Sequence, residues 1–485
     1  MGVTPGCAPA MSCEVVQMIP KYADHPTTTG LADGDDTVRS LRRDLVAGVE
    51  TATSLVTKAI ARIEAQDRLD DGPNAVAALN PQALAEAQAA DTSKGAGLLT
   101  GVPVLIKDNI DVAGMATTAG SPLMQGNVAL RDALCVQHLR DAGAVILGKA
   151  TMHEWATGIT SVSALHGAVR NARDPRYVAG GSSGGSASAV AAGYVAAAIG
   201  TDTAGSIRIP AAFHGLYGLR PTQGTIDMTG IVPLCPTQDI AGPIARDPMD
   251  IALLMDALRG RSGDTCSGKI EQGVLRRARF GVLRMFFGNE AGTAQVSATC
   301  YAALEQMRRL GAELVDLDGT GQSALTNAAS TADFEFAAAI ADYLGRRDGV
   351  LIRTLDDILA QMPPDSDLAK VLRRRLLAAT NAEGHRTAIG LRNELRHWLH
   401  SQFRTHDLTA IVYPTMRRPP ARLGATQEGF ENVCLSACSG FPALTISALP
   451  GETRLPVGLE FLGLPDREAT LLSIACDWQA GRGVA

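Results

Sequence analysis

One stretch constrains this chain more than any other: Gly180 to Thr222, GGSSGGSASAVAAGYVAAAIGTDTAGSIRIPAAFHGLYGLRPT. Two loops of small residues, one holding Ser182 and Ser183 and the other Ser206, bracket a run of alanines and valines that has to be buried. Hydroxyls therefore stand at the two ends of one packed unit. Glycines in such loops reach backbone angles closed to other residues and let a ligand approach main-chain N–H groups. The pattern predicts a site rather than a linker.

The rest of the chain is compatible with a large packed protein around that stretch. Of 485 residues, 46% are hydrophobic and only 19% charged, which excludes a disordered chain. Aromatic residues are scarce, so alanine and glycine fill much of the interior. A formal net charge of −6 leaves no electrostatic footprint for nucleic acid or an anionic membrane, and neither is an expected partner. The nine cysteines are odd in number and scattered, which points to reduced thiols and a cytoplasmic protein. Cys434 and Cys438 read as core residues, because a metal site needs two further ligands nearby. No signal peptide and no bilayer-length apolar run is evident, and the alanine-rich run 186–199 is too short.

Residues 1–36, rich in Pro, Thr and Asp, read as a flexible extension, and 37–485 as one catalytic domain with a helical layer over about 37–95. Val38, Leu41, Leu45, Val49, Leu55, Ala59 and Ile63 follow a helical period broken near Gly48, predicting two helices. Strands are expected at 75–79, 100–107, 144–147, 279–283, 313–317, 410–413, 443–447 and 457–461. Helices are expected at 81–90, 131–142, 295–310, through most of 326–400 with a break at Pro363 and Pro364, and from about 467. The basic cluster Arg373 to Arg375 reads as a solvated helix face. Alternation of this kind implies an α/β/α sandwich with a large mixed central sheet covered by helices.

Three groups can carry chemistry. Lys107 ends the apolar run Val102 to Ile106, where an ammonium either snorkels to solvent or is desolvated until its pKa falls from about 10.4 toward about 7–8, making it a usable base. The loop Gly180 to Gly185 fits G-x-S-x-G, centred on Ser182 or Ser183. A nucleophile elbow, however, needs a buried strand before it, and 173–179 looks too polar to be one. Ser206 follows Thr203-Ala-Gly, whose small residues leave main-chain N–H groups open to an oxyanion. A serine nucleophile needs a base within reach, and the nearby His214 lies in an apolar run that suggests a core histidine.

The run Gly180–Thr222, taken with Gly101-Val-Pro-Val-Leu-Ile-Lys-Asp-Asn109, resembles the amidase signature family of serine hydrolases. Tyr413-Pro-Thr415 and Leu455-Pro-Val-Gly-Leu459 are later echoes, and the resemblance covers about Leu41 to Ala480. It implies a catalytic set of Lys107, Ser182 preceded by a cis peptide, and Ser206 as nucleophile. It also implies an oxyanion hole from the N–H groups of Thr203, Ala204, Gly205 and Ser206, with Ala204 where the family commonly has glycine. Trp155 and Ala156, in Met152-His-Glu-Trp-Ala156, become candidate substrate contacts, and the alternative for Trp155 is core packing. Asp202 and Arg208 read as scaffold.

The implied reaction is hydrolysis of a C–N acyl bond in an amide, anilide or carbamate, without metal or cofactor, by a monomer or homodimer. Three alternatives stand beside it: an esterase or carbamate hydrolase, the amidase component of a tRNA-dependent amidotransferase, and a non-catalytic binding relative.

Overall fold

The structure, a computed structural model, describes residues 36–93, 97–260, 265–448 and 455–481. The extension 1–36 lies outside the described residues except for Asp36. Eleven strands form the central sheet. In chain order they are β1 Val76–Leu79, β2 Pro103–Lys107, β3 Val145–Ala150, β4 Ala197–Asp202, β5 Tyr217–Arg220, β6 Ile240–Ala245, β7 Arg279–Val282, β8 Glu313–Asp316, β9 Ala410–Pro414, β10 Ala443–Ser447 and β11 Gly458–Leu462. Their spatial order is β1-β3-β2-β4-β6-β5-β10-β11-β9-β7-β8. Strands β3, β2 and β4 pair in parallel, as do β9, β7 and β8, whereas the pairs from β4 through to β9 are antiparallel. The sheet is therefore mixed, as expected.

Nine of these strands are buried along their whole length or nearly so, which is why they read as continuous apolar runs rather than alternating ones. The expected helices are present with small shifts at their ends, among them Val38–Val46 and Ala52–Gln66 on either side of Gly48. The stretch 322–406 is a succession of helices interrupted between Ala360 and Asp367, at the proline pair. Among the described residues, no helix is long and apolar enough to cross a membrane.

As expected, no fully buried strand precedes the Ser182 loop: Asp174–Val178 pairs with Arg170–Asn171 in a two-stranded ribbon outside the central sheet, with Asp174 and Val178 buried and Arg176 exposed. One expectation is corrected. Arg375 is not on a solvated face: it is buried, its guanidinium 5.0 Å from the Phe336 ring centroid and 3.5 Å from Asp333. The alanine-rich run is a buried helix, Gly184–Ala191, followed by β4.

That helix sits close to the sheet because its second residue has no side chain. A Cβ on Gly185 would lie 2.3 Å from the Thr151 carbonyl oxygen and 2.5 Å from that of Ala75. Gly185→Ala gains the better helix propensity of alanine, worth about 0.5–1 kcal/mol, but forces two strand ends apart. The overpacking outweighs the gain. A net loss of about 1–2 kcal/mol is expected in urea denaturation; an unchanged midpoint would show that the contact relaxes freely.

Candidate active site

Parallel pairing of β2 with β4 carries Lys107 and Thr201 to the same end of the sheet. Lys107 is fully buried, and its Nζ lies 2.7 Å from Ser182 Oγ, 2.7 Å from Thr201 Oγ1 and 3.4 Å from the Thr201 carbonyl oxygen. Asn109 Nδ2 donates to the same Thr201 hydroxyl at 3.1 Å. Burial pulls the lysine pKa down to about 7, against the weaker upward pull of Asp202 and Asp239. The amine is thus substantially neutral at neutral pH.

The Ser182 loop is fastened from three sides. The Gly181–Ser182 peptide is cis, and the Ser182 carbonyl accepts from the His153 N–H at 3.0 Å and from Ser161 Oγ at 3.3 Å. Ser161 Oγ in turn accepts the Gly184 N–H at the start of the following helix. Ser183 does not face the opening; its hydroxyl donates to the Thr201 carbonyl at 3.1 Å. The Ser183 N–H donates to the Ser206 carbonyl at 3.1 Å, joining the two serine loops directly. Gly200 permits this approach, since a Cβ there would lie 2.7 Å from Ser183 Oγ.

The Ser206 loop is wrapped around one carboxylate. Asp202 accepts the N–H of Gly205 at 2.8 Å and of Ile207 at 3.2 Å, and pairs with Arg208 at 3.0 Å and Arg220 at 3.2 Å. All three side chains are fully buried. Burial by itself would raise the Asp202 pKa; the two guanidinium groups overcome that and hold it well below the usual carboxylate range. Arg208 also donates to the Val433 carbonyl and to Glu460, so it and Asp202 are scaffold. The Ser206 hydroxyl makes no hydrogen bond among the described residues and is one of the few loop atoms left open.

This wrapping corrects one sequence expectation. The Gly205 N–H is spent on Asp202 and is not available to an oxyanion. The N–H groups of Thr203, Ala204 and Ser206 form no hydrogen bond among the described residues. Gly205 is still required as glycine, with φ +95° and a hypothetical Cβ 2.4 Å from Val433 Cγ2. Ala204 stays outside the left-handed region, so the residue that departs from the family pattern fits its place without backbone strain.

His214 is a core histidine. Its Nδ1 lies 2.8 Å from the Pro210 carbonyl and its Nε2 3.0 Å from Ser188 Oγ, and burial pushes its pKa down to about 3. Trp155 is 1% exposed, packed among Met124, Met152, Phe336 and Ile340, with its indole N–H unpartnered among the described residues. Ala156 is half-buried, and both residues have positive φ. Three polar neighbours escaped the sequence reading: Thr201, Asn109 and Gln238. Thr201 and Asn109 stand within the quoted motifs, and their placement beside a buried lysine was the usable signal. Gln238 had none.

Removing the charge at the centre of the second loop is costly. Asp202→Asn keeps the shape but leaves two buried arginines without their shared anion, and breaking such a pair costs about 3–5 kcal/mol. A loss of that size is expected in equilibrium denaturation, and a variant as stable as the parent would show that Glu460 alone neutralises the cluster.

Comparison with known proteins gives the family of the chain. The Amidase family profile matches residues 54–472. A glutamyl-tRNA(Gln) amidotransferase subunit of Deinococcus deserti is 33% identical, over 90% of this chain and 95% of its own length. Indoleacetamide hydrolase of Pseudomonas syringae pv. syringae is 34% identical, over 89% of this chain and 97% of its own. The structure of native peptide amidase from Stenotrophomonas maltophilia superposes with a TM-score of 0.82 at 32% identity, covering 93% of this chain and 97% of that one. The chain belongs to the amidase family, the group of the amidase signature.

Proposed function

We propose that this protein hydrolyses amides by a relay through Lys107, Ser182 and Ser206, with an acyl-enzyme on Ser206. The observation that carries the reading is the fully buried Lys107 amine, 2.7 Å from Ser182 Oγ and with its pKa pulled down by burial to about 7. A neutral amine at that place accepts a proton from Ser182. Ser182 replaces it from Ser206 as the Ser206 oxygen attacks the carbonyl carbon. The N–H groups of Thr203, Ala204 and Ser206 hold the oxyanion of the tetrahedral intermediate. The proton returns through Ser182 to the leaving nitrogen, and water repeats the sequence to release the acid.

The substrate proposed is an uncharged, partly hydrophobic amide, with anilides and carbamates as further candidates. Arg208 and Arg220 are turned inward onto Asp202, so neither is offered to a substrate carboxylate. Trp155 and Ala156 sit in an apolar cluster with helix Ala332–Gly345, and Ala156 is the one with surface left to meet an acyl chain. Indoleacetamide hydrolase and peptide amidase are relatives whose names state amide substrates, which favours an amide as the substrate here. The amidotransferase relative keeps in play the reading in which the chain works within a larger complex.

Two outcomes test the mechanism and the substrate together. Ser206→Ala is expected to lose turnover by roughly 10⁴-fold or more, and a fluorophosphonate probe should label the Ser206 peptide of the parent in mass spectrometry and not that of the variant. Turnover retained in Ser206→Ala would sink the relay. The purified chain alone is expected to act on a panel of apolar primary amides; activity only on esters, or only with added partner chains, would replace the reading. The pH dependence follows from Lys107: below about 7 it is protonated and cannot accept a proton. Thus kcat/KM should fall about tenfold per pH unit below 7 and level off above it. A profile flat from pH 5 to 8 would remove Lys107 as the base.

A further inference from the structure

Gln238 stands 32 residues beyond the nucleophile loop, between two structures that no local sequence signal joins. It is 1% exposed. Its Nε2 donates to the Thr203 carbonyl at 3.1 Å, and its Oε1 accepts from the Thr331 N–H at 2.8 Å and the Thr331 hydroxyl at 3.0 Å. The orientation of this amide is dictated by chemistry: a backbone N–H only donates and a carbonyl only accepts, so a flipped amide would lose both main-chain bonds.

The Thr203 carbonyl belongs to the same planar peptide as the Ala204 N–H, and in a trans peptide the two point in opposite directions. A donor holding that carbonyl therefore aims the Ala204 N–H. It also polarises the peptide, which strengthens the N–H as a donor. We propose that Gln238 is a positioning residue that aims the Ala204 N–H at the oxyanion and fastens it to the start of helix Ala332–Gly345 through Thr331. The proposal rests on the reading of Ser206 as nucleophile and of this N–H as an oxyanion donor.

The surroundings of Gln238 leave that peptide little freedom. The Thr203 hydroxyl donates to Asp239 Oδ1, while Asp239 Oδ2 accepts the N–H groups of Leu234 and Cys235 at 2.8 and 2.9 Å. Thr203 is thus held at its carbonyl and its side chain by two consecutive residues. On the far side, Glu335 accepts from the Thr237 N–H at 3.0 Å and its hydroxyl at 2.7 Å, and Arg392 donates to the Thr237 carbonyl at 2.7 Å. Arg220 donates to the Gln238 carbonyl at 2.7 Å, linking the turn back to Asp202. The turn 234–239 is a bridge from helices Ala332–Gly345 and Ala382–His406 to the nucleophile loop.

The test compares Gln238→Glu and Gln238→Met with the parent enzyme. Glutamate keeps an acceptor for Thr331 and loses the donor to Thr203; methionine loses both. Each variant is assayed for kcat and KM on an apolar amide and for inhibition by the corresponding aldehyde. Ser206 adds to that aldehyde: a C–O bond forms, the carbonyl π pair moves to oxygen, and the Ser206 proton passes to Ser182 as Ser182 gives its own to the neutral Lys107 amine. In both variants kcat is expected to fall by about tenfold to a hundredfold with KM changed less than twofold, and aldehyde affinity should fall by the same factor. Binding of the carboxylic acid product, which forms no adduct, should stay within twofold. Aldehyde affinity unchanged in Gln238→Glu, or lost equally with product affinity, would overturn the role of Gln238. An aldehyde that binds Ser206→Ala as tightly as the parent would overturn the nucleophile reading, and the proposal with it.

Discussion

The site depends on one buried carboxylate. Asp202 has no solvent to stabilise its charge, and the desolvation cost is offset only because two guanidinium groups and two backbone N–H groups converge on it. Those partners come from different places: Arg208 from the helix after Ser206, Arg220 from β5, and behind Arg208 stand Glu460 from β11 and the Val433 carbonyl. A buried charge tolerates little displacement of its partners. The Ser206 loop is thereby locked to the middle of the sheet, and the sheet is locked around it.

Two buried lysines on neighbouring strands show how burial sorts charge. Lys149 on β3 meets Asp108 at 3.2 Å and also reaches the Thr117 hydroxyl and the Ala116 carbonyl. Lys107 on β2 meets hydroxyls instead, with the carboxylates of Asp202 and Asp239 felt only at longer range. Asp108, next to Lys107 in sequence, is committed to Lys149 and Thr118. The same residue type therefore meets a carboxylate on one strand and hydroxyls, with a lowered pKa, on the next. The difference lies in the neighbours, not in the depth of burial, since both side chains are essentially inaccessible.

Much of this was legible along the chain. Continuous apolar runs marked the buried strands, proline and glycine marked the breaks, and the two glycine-serine loops with Lys107 marked the site. Two expectations were overturned. Arg375 looked solvated because its partners, Phe336 and Asp333, lie on another helix. Gly205 looked like an oxyanion donor because the sequence does not show that Asp202, three residues earlier, turns its carboxylate onto that N–H.

The sequence by itself determined most of the elements, the candidate groups Lys107, Ser182 and Ser206, and the stretch from Gly180 to Thr222 as the centre. Those are short-range matters: periodicity, backbone freedom at glycine and the chemistry of single side chains. Only the tertiary structure decided which groups are free to react. It left the Ser206 hydroxyl and three loop N–H groups open, turned Arg208 and Arg220 inward, and set Gln238 behind the Thr203 peptide. The reason is that a buried polar group must find its partners wherever the fold brings them, and those partners lie up to half the chain away.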